Sequence, residues 1–265
     1  MTVLDARALA TAVFGSGASG RIELTSWDAA IRGGLSTTRR IGVLSLSPSA
    51  GTSTVAHQLT RAIAARRKDP VLAVDVSTGE NGLGARLGAA PAAPDETRAA
   101  ARTTAEALSG LEVVDGVVAL RPRDTTADAV GTWLTEAAPI ARFFDVAITD
   151  FGVRHPLADL AACAALCDAV CLVSDARRSP AEHARSVVAA IASLPESPEV
   201  TLALVDHARE GDAVSRALGL GAVHPVLAVP FDPGVNAGGE ARRSLTHRAI
   251  VRLAATLVRA EEKVA

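Results

Sequence analysis

Lysine is nearly missing from this sequence. Of 27 basic residues only Lys68 and Lys263 are lysines, and the others are arginines. Any chemistry that requires a lysine therefore has two candidate positions. Tyrosine is absent, and Phe and Trp contribute only 5 and 2 residues. So few rings disfavour a single-strand nucleic-acid surface built on base stacking. No apolar run reaches the roughly 18 residues of a membrane helix. Asp5 and Arg7 interrupt the opening stretch where a signal peptide needs continuous apolar residues, which predicts a cytoplasmic protein. Charge of one sign is also lacking. A net charge of −2 excludes a globally basic nucleic-acid binder, though not a local patch. Cys163, Cys167 and Cys171 are few, clustered and odd in number, unlike a secreted disulfide framework. No CxxC pair accompanies them, so they read as small core residues and no metal site is expected.

What is present is a folded, apolar chain. Its 265 residues are 49% hydrophobic and 21% charged, which excludes intrinsic disorder. The length suits one large domain with an appendage. Residues 1–38 form the appendage: a helical pattern over 4–14, a GSGASG linker at 15–20, and a short helix over 26–32 capped by Ser26 or Thr25. Gly33 and Gly34 then release the chain into a main unit, 39–265.

From residue 40 apolar strands alternate with helical patterns. Strands are expected in RIGVLSLS, PVLAVDVS, 116–122, 144–150, 169–175, 199–206 and 224–230. Helices are expected after the first strand, over 95–109, 125–142, 156–167, from Pro180, over 209–219 and over 241–262. Residues 77–94, rich in Gly, Ala and Pro, read as a mobile loop. Continuously apolar strands joined by helices predict an α/β fold, a mostly parallel sheet with helices on both faces.

Open sheets of this kind bind ligands beyond the carboxyl ends of their strands. The first strand-to-helix turn reads Ser45-Leu46-Ser47-Pro48-Ser49-Ala50-Gly51-Thr52-Ser53-Thr54. A phosphate-binding loop needs glycine, exposed N–H groups, a lysine on the phosphates and Ser/Thr for Mg²⁺. Strand, helix, glycine and hydroxyls are here; the lysine is not.

With these residues the chain resembles the ParA/MinD group of P-loop ATPases, whose loop reads KGGxGKT. The resemblance places Gly51 on the last glycine, Thr52 on the phosphate lysine, Ser53 on the Mg²⁺ ligand, with Thr54 beside it. Ser47 falls on the second lysine, which in the family crosses a dimer interface. VLAVDVS resembles the strand with the family's A′ aspartate, here Asp75, while the second acidic position is Ser77. FDVAITDFG resembles the Walker B and switch II strand, with Asp150 and Gly152. LALVD resembles the strand whose terminal Asn reads adenine, here Asp206. AVPFDPGV resembles the adenine-side loop, with Pro230, Asp232 and Pro233. The resemblance spans residues 40–260. The wording RRIGVLSL, the spacing to AARRKDPVLAVD and the Trp-containing lead segment are most similar to MinD-like proteins of actinobacterial type VII secretion systems.

The resemblance implies a nucleotide and Mg²⁺ site, and the missing lysines imply that it is vestigial. Lys68 lies at the far end of the first helix, Lys263 near the C-terminus, and Arg39 and Arg40 at the opposite end of the strand. No catalytic residue and no required cofactor are therefore expected, although weak ATP/Mg binding is compatible with the retained residues. The expected role is that of a pseudo-ATPase scaffold or positioning protein in a larger assembly. Alternatives are an ATPase using a partner-supplied cation, and a partition-type DNA binder. A homodimer and protein partners are implied as well. Arg248, Arg252 and Arg259 on the last helix form a stripe that would contact DNA or anionic lipid, or simply face solvent. Arg154 and His155 follow Asp150 as surface loop residues.

Overall fold

The computed structural model describes residues 20–123, 128–195 and 197–259. The expected helix over 4–14, the start of the linker and Lys263 lie outside these. Helix α1 covers residues 20–32, earlier than the sequence reading placed it. Thr25 and Ser26 are not caps. Their hydroxyls donate to the carbonyls of Arg21 and Glu23 at 2.9 and 2.8 Å, back along the helix.

The main unit opens with β1 (Arg39–Ser45), α2 (Thr52–Ala64) and β2 (Val71–Asp75). Three short helices follow: α3 (Leu83–Arg86), α4 (Glu96–Ala99) and α5 (Thr104–Ala107). The expected helix over 95–109 is thus two separate turns. Asp95 caps the first by accepting from the Arg98 N–H, and a Thr103/Glu106 capping box starts the second. A hairpin, β3 (Val113–Val114) and β4 (Val117–Leu120), precedes α6 (Ala129–Thr132). A π-turn over Trp133–Ala137 joins α6 to α7 (Ala138–Ala141). Pro139 explains the break. It has no N–H to give to Thr135, and its ring would meet that carbonyl in an α-helix.

The second half is β5 (Val146–Val153), α8 (Leu160–Ala165), β6 (Ala169–Asp175), α9 (Arg178–Ala192), β7 (Glu199–Val205), α10 (Ala213–Gly219), β8 (Val226–Val229), α11 (Pro233–Asn236) and α12 (Ser244–Val258). The eight strands lie in the order β3-β4-β2-β5-β1-β6-β7-β8. All pairings are parallel except β3 with β4.

Alternation along each strand feeds two cores. In β6, Ala169, Cys171 and Val173 pack with α2 and α12, and Val170 and Leu172 pack on the other face with α8 and α9. Ile31 of α1 is fully buried in the first of these cores. Gly42 lets the centre of the sheet close: a Cβ there would sit 2.5 Å from the Cys167 sulfur and 3.1 Å from the Phe151 ring. The register between β1 and β5 slips after Val43, so Phe151 is an extra residue in β5. Such bulges re-aim side chains beside functional sites. This one sits next to Asp150.

Candidate functional site

The carboxyl ends of the strands enclose a cleft of about 640 Å³. One half is polar, lined by the β1–α2 turn, residues 77–82 and Gly152. The other half is more apolar, lined by Val205, Val229, Phe231, Val235 and Ile250.

The β1–α2 turn is tightly wound. Gly51 is the N-cap of α2 at φ 95°, and Ser49 also has positive φ, 61°. Positive φ is strained for a residue with a side chain such as Ser49. Thr52 is buried, and its hydroxyl donates inward to Ser45 Oγ at 2.7 Å. Ser45 Oγ in turn donates to the Ser47 carbonyl at 3.1 Å. The Ser47 side chain is exposed and does not line the cleft, whereas Gly51, Thr52, Ser53 and Thr54 do. His207 flanks the turn, with Nε2 3.2 Å from the Ala50 carbonyl.

Asp75 and Asp150 sit side by side in the β2–β5 register, both buried. Ser53 is hydrogen-bonded to Asp150. Asp150 Oδ1 accepts from the Gly152 N–H at 2.9 Å and Oδ2 from the Leu83 N–H at 3.2 Å. Asp75 Oδ1 accepts from the Ser77 N–H and hydroxyl at 3.1 and 2.7 Å, and Oδ2 from the Gly84 N–H at 2.8 Å. Burial is the main cause that pushes the Asp150 carboxyl up, to about 6; the Ser53 hydrogen bond opposes it and the Asp75 charge adds to it.

These bonds correct the reading of 77–94 as a mobile loop. The segment carries α3, whose Leu83 is fully buried and whose first amides are held by both carboxylates. A Cβ on Gly82 would collide with the Asp75 carboxylate and with Ser77 Oγ, so only glycine fits that approach. Gly152, at φ 68°, passes Ser77 in the same close-fitting way.

On the other side Asp206 and Asp232 act within their own loops. Asp206 accepts from the N–H groups of Glu210 and Gly211 at 3.0 and 2.9 Å. Asp232 caps α11 by accepting from Gly234 and Val235, and also accepts from the Arg243 N–H at 2.7 Å. The Pro230 carbonyl accepts from the Thr246 hydroxyl at 3.4 Å. All three residues line the cleft.

Of the arginine stripe, Arg252 and Arg259 are exposed and Arg248 is partly engaged. Arg248 pairs with Glu23 and lies 5.5 Å over the Trp27 ring, both on α1. Arg259 follows the end of α12, and its carbonyl accepts from Arg39. Arg252 is exposed on the helix. Arg154 is buried rather than a surface residue. It donates to the Phe151 carbonyl at 2.6 Å and to Asp159 at 2.8 Å.

Several lining residues escaped the sequence reading: Gln58, Arg86, His207, Phe231 and Asn236. Among the described residues of the lining, Arg86 is the sole arginine or lysine. Against the loop of the resembling family, Ser47 and Thr52 offer hydroxyls where that loop has lysine, so the turn itself supplies no cation; each oxygen of Asp75 and Asp150 accepts a backbone N–H and keeps a further lone pair. No group of three or more His, Cys, Asp or Glu able to hold a metal is found among the described residues.

Solved structures share the architecture. A ParA family ATPase from Chlorobium tepidum matches with a TM-score of 0.61 at 17% identity, covering 82% of this chain and 98% of its own. The fold is that of the ParA/MinD ATPases. The cell division ATPase MinD of Pyrococcus furiosus matches with a TM-score of 0.61 at 20% identity over 82% of this chain and 96% of its own. The MinC:MinD cell division complex of Aquifex aeolicus matches at 0.57 and 16% identity, with 82% and 95% covered. No protein-family model matches the sequence, and no curated protein does. At these identities the ParA/MinD likeness is one of fold. No helix among the described residues is long and apolar enough to cross a membrane.

Proposed function

We propose that this chain is a non-catalytic ParA/MinD-like protein, a pseudo-ATPase serving as a scaffold or positioning factor in a larger assembly. One observation carries the reading. The strand–loop–helix of the phosphate loop is kept, while its lysine positions hold Ser47 and Thr52, with Thr52 turned inward onto Ser45. Phosphoryl transfer is catalysed chiefly by positioned cations. Loss of one such donor typically costs roughly 10²–10³ in rate, and here two positions are changed.

Partner binding is the retained role. In the Aquifex complex a protein of this fold, MinD, binds MinC. Here Val153 and Leu157 expose apolar surface just past the cleft, 45% and 92% accessible. That surface would suit a protein partner or a second copy. The sequence resemblance to MinD-like proteins of type VII secretion points to a secretion or surface-appendage machine as the assembly. The DNA-binding alternative loses support because Arg248 is engaged by α1.

Phosphate release from ATP by the purified full chain tests the proposal, beside a Ser47→Lys/Thr52→Lys variant. The native chain is expected to show no turnover, and the variant to gain ATP binding. Turnover by the native chain above background would sink the reading. A double variant that behaves like the native chain would favour a cation supplied by a partner.

A further inference from the structure

A second groove runs along the open edge of the sheet. β8 is the last strand in the order and pairs with β7 alone. Leu202 donates its N–H to the Pro225 carbonyl at 2.9 Å, and Asp206 donates to the Val229 carbonyl at 3.0 Å. Pro225, Leu227 and Val229 therefore turn their backbone groups toward β7, and Val226 and Ala228 turn theirs outward. The N–H and C=O groups of Val226 and Ala228 have no partner among the described residues. A strand edge of this kind is a template for another extended chain. Pro225 and Pro230 bracket it, so the stretch open to pairing is short.

The edge is recessed. α10 and α12 pack on opposite faces of β8, Leu218 in one core and Ile250 in the other. The groove between them encloses about 1180 Å³, more than the roughly 300–1,000 Å³ of a small-molecule pocket. Leu220 and Leu245 stand on its two walls, 83% and 70% exposed. Among the described lining residues it shares only Asp206 and Pro230 with the cleft. Two of its arginines are answered, Arg216 by Asp212 at 3.2 Å and Arg248 by Glu23. The Arg252 guanidinium is exposed and has no partner among the described residues. Arg252 also lines a neighbouring hollow with Pro225, which puts it at the end of the groove where β8 begins.

We infer that this edge binds an extended segment of a partner protein, which adds a strand to β8, sets apolar side chains against Leu220 and Leu245, and carries a carboxylate to Arg252. Three features select that occupant. Backbone groups in a row are satisfied together by another backbone, not by a compact small molecule. The side chains on the walls are apolar, and the arginine left unpaired offers a positive charge. The helices on both sides admit a single chain and hold off a second folded copy, whose own edge strand is flanked by the same helices. In this mode main-chain hydrogen bonds supply affinity, and the flanking side chains supply selectivity. The inference rests on the proposal that the chain works by binding partners, and it adds a surface separate from Val153 and Leu157.

A displayed library of random peptides about six residues long, the ordinary length of a strand, selected on the purified full chain tests this. Selected peptides are expected to alternate apolar side chains and to carry a carboxylate at one end. A synthetic peptide of selected sequence is expected to lose about tenfold or more in affinity when one of its two alternate sets of amides is N-methylated, and as much against Ala228→Pro. Proline is tolerated on an edge strand where the N–H faces outward, and circular dichroism with the thermal midpoint establishes that the variant is folded. Arg252→Glu is expected to weaken the same peptide and to turn the selection toward basic residues. The inference fails if no peptide is enriched over selection without the protein, if N-methylation of either set leaves binding unchanged, or if folded Ala228→Pro binds like the native chain. A native dimer that Ala228→Pro dissociates would give the edge to a second copy. Tighter peptide binding by a full chain carrying Leu9→Asp and Val13→Asp would give it to the chain's own lead segment. Either result overturns the inference. Phosphate release is read separately: turnover would overturn the pseudo-ATPase proposal and leave the β8 comparison standing.

Discussion

At neutral pH Asp150 is ionised where water does not reach, with Asp75 beside it in register on the next strand. Three donors, from Ser53, Gly152 and Leu83, make this tolerable without abolishing the penalty. Its folded pKa of about 6 lies above the ordinary 3.8. Between about pH 4 and pH 6 the folded chain therefore keeps a proton that the unfolded chain has lost. The stability this contributes is full below pH 4, falls as pH rises, and is gone above pH 6. Asp150→Asn is expected to flatten the slope between pH 4 and 6, with a net loss of stability because its NH2 group replaces one of the two oxygens that accept the Gly152 and Leu83 N–H groups. Urea unfolding midpoints across that range check it; an unchanged slope would refute the assignment. Asp75 and Asp150 were identifiable in the sequence as strand-end carboxylates. Their partners were not, because the Leu83 amide meets Asp150 across 67 positions of chain.

Two glycines decide how neighbouring elements meet. Gly82 carries α3 against Asp75, where any side chain would collide. Gly82→Ala is expected to detach α3 from the carboxylates, seen as faster amide exchange at Leu83 and Gly84, with most of the remaining sheet unaffected. Gly42 lies mid-strand in β1 under Cys167 and Phe151. Gly42→Ala is expected to destabilise the domain by about 1–3 kcal/mol through overpacking. Cys167→Ala in the same chain should return part of it, a coupling that a double-mutant cycle measures. The parallel strands were readable because they are apolar runs between polar turns, while the two-residue exposed β3 was not. Residues 77–94 were misread because glycine marks both flexible chain and close approach. Only the atoms opposite distinguish the two.

Across the whole molecule, α1 belongs to the core rather than lying beside it. Ile31 is fully buried, Arg66 pairs with Asp28 at 2.9 Å, and Arg67 donates to the Ile31 carbonyl at 2.7 Å. Ile31→Ala is expected to cost about 2–5 kcal/mol and to lower the midpoint of the entire domain in one transition. A separate early transition would show α1 to be an independent appendage. The cysteines report on the same cooperativity. All three are buried, and burial pushes the Cys163 and Cys171 thiols up to about 11 and about 12, with Cys167 also raised. A disulfide reagent at pH 8 is expected to modify none of the three in the folded chain and all three in denaturant.

The sequence by itself determined the layered α/β architecture, the position of the β1–α2 turn, the two strand-end aspartates and the scarcity of lysine. These depend on local properties: apolar periodicity, chain order and the chemical identity of single residues. The tertiary structure alone decided that Thr52 turns inward, that Asp75 and Asp150 each accept one amide of α3, and that Arg248 is engaged by α1. It also decided that Arg86 reaches the cleft wall. Each of these is a meeting of residues distant along the chain, and the pattern within any one segment does not encode which partner arrives.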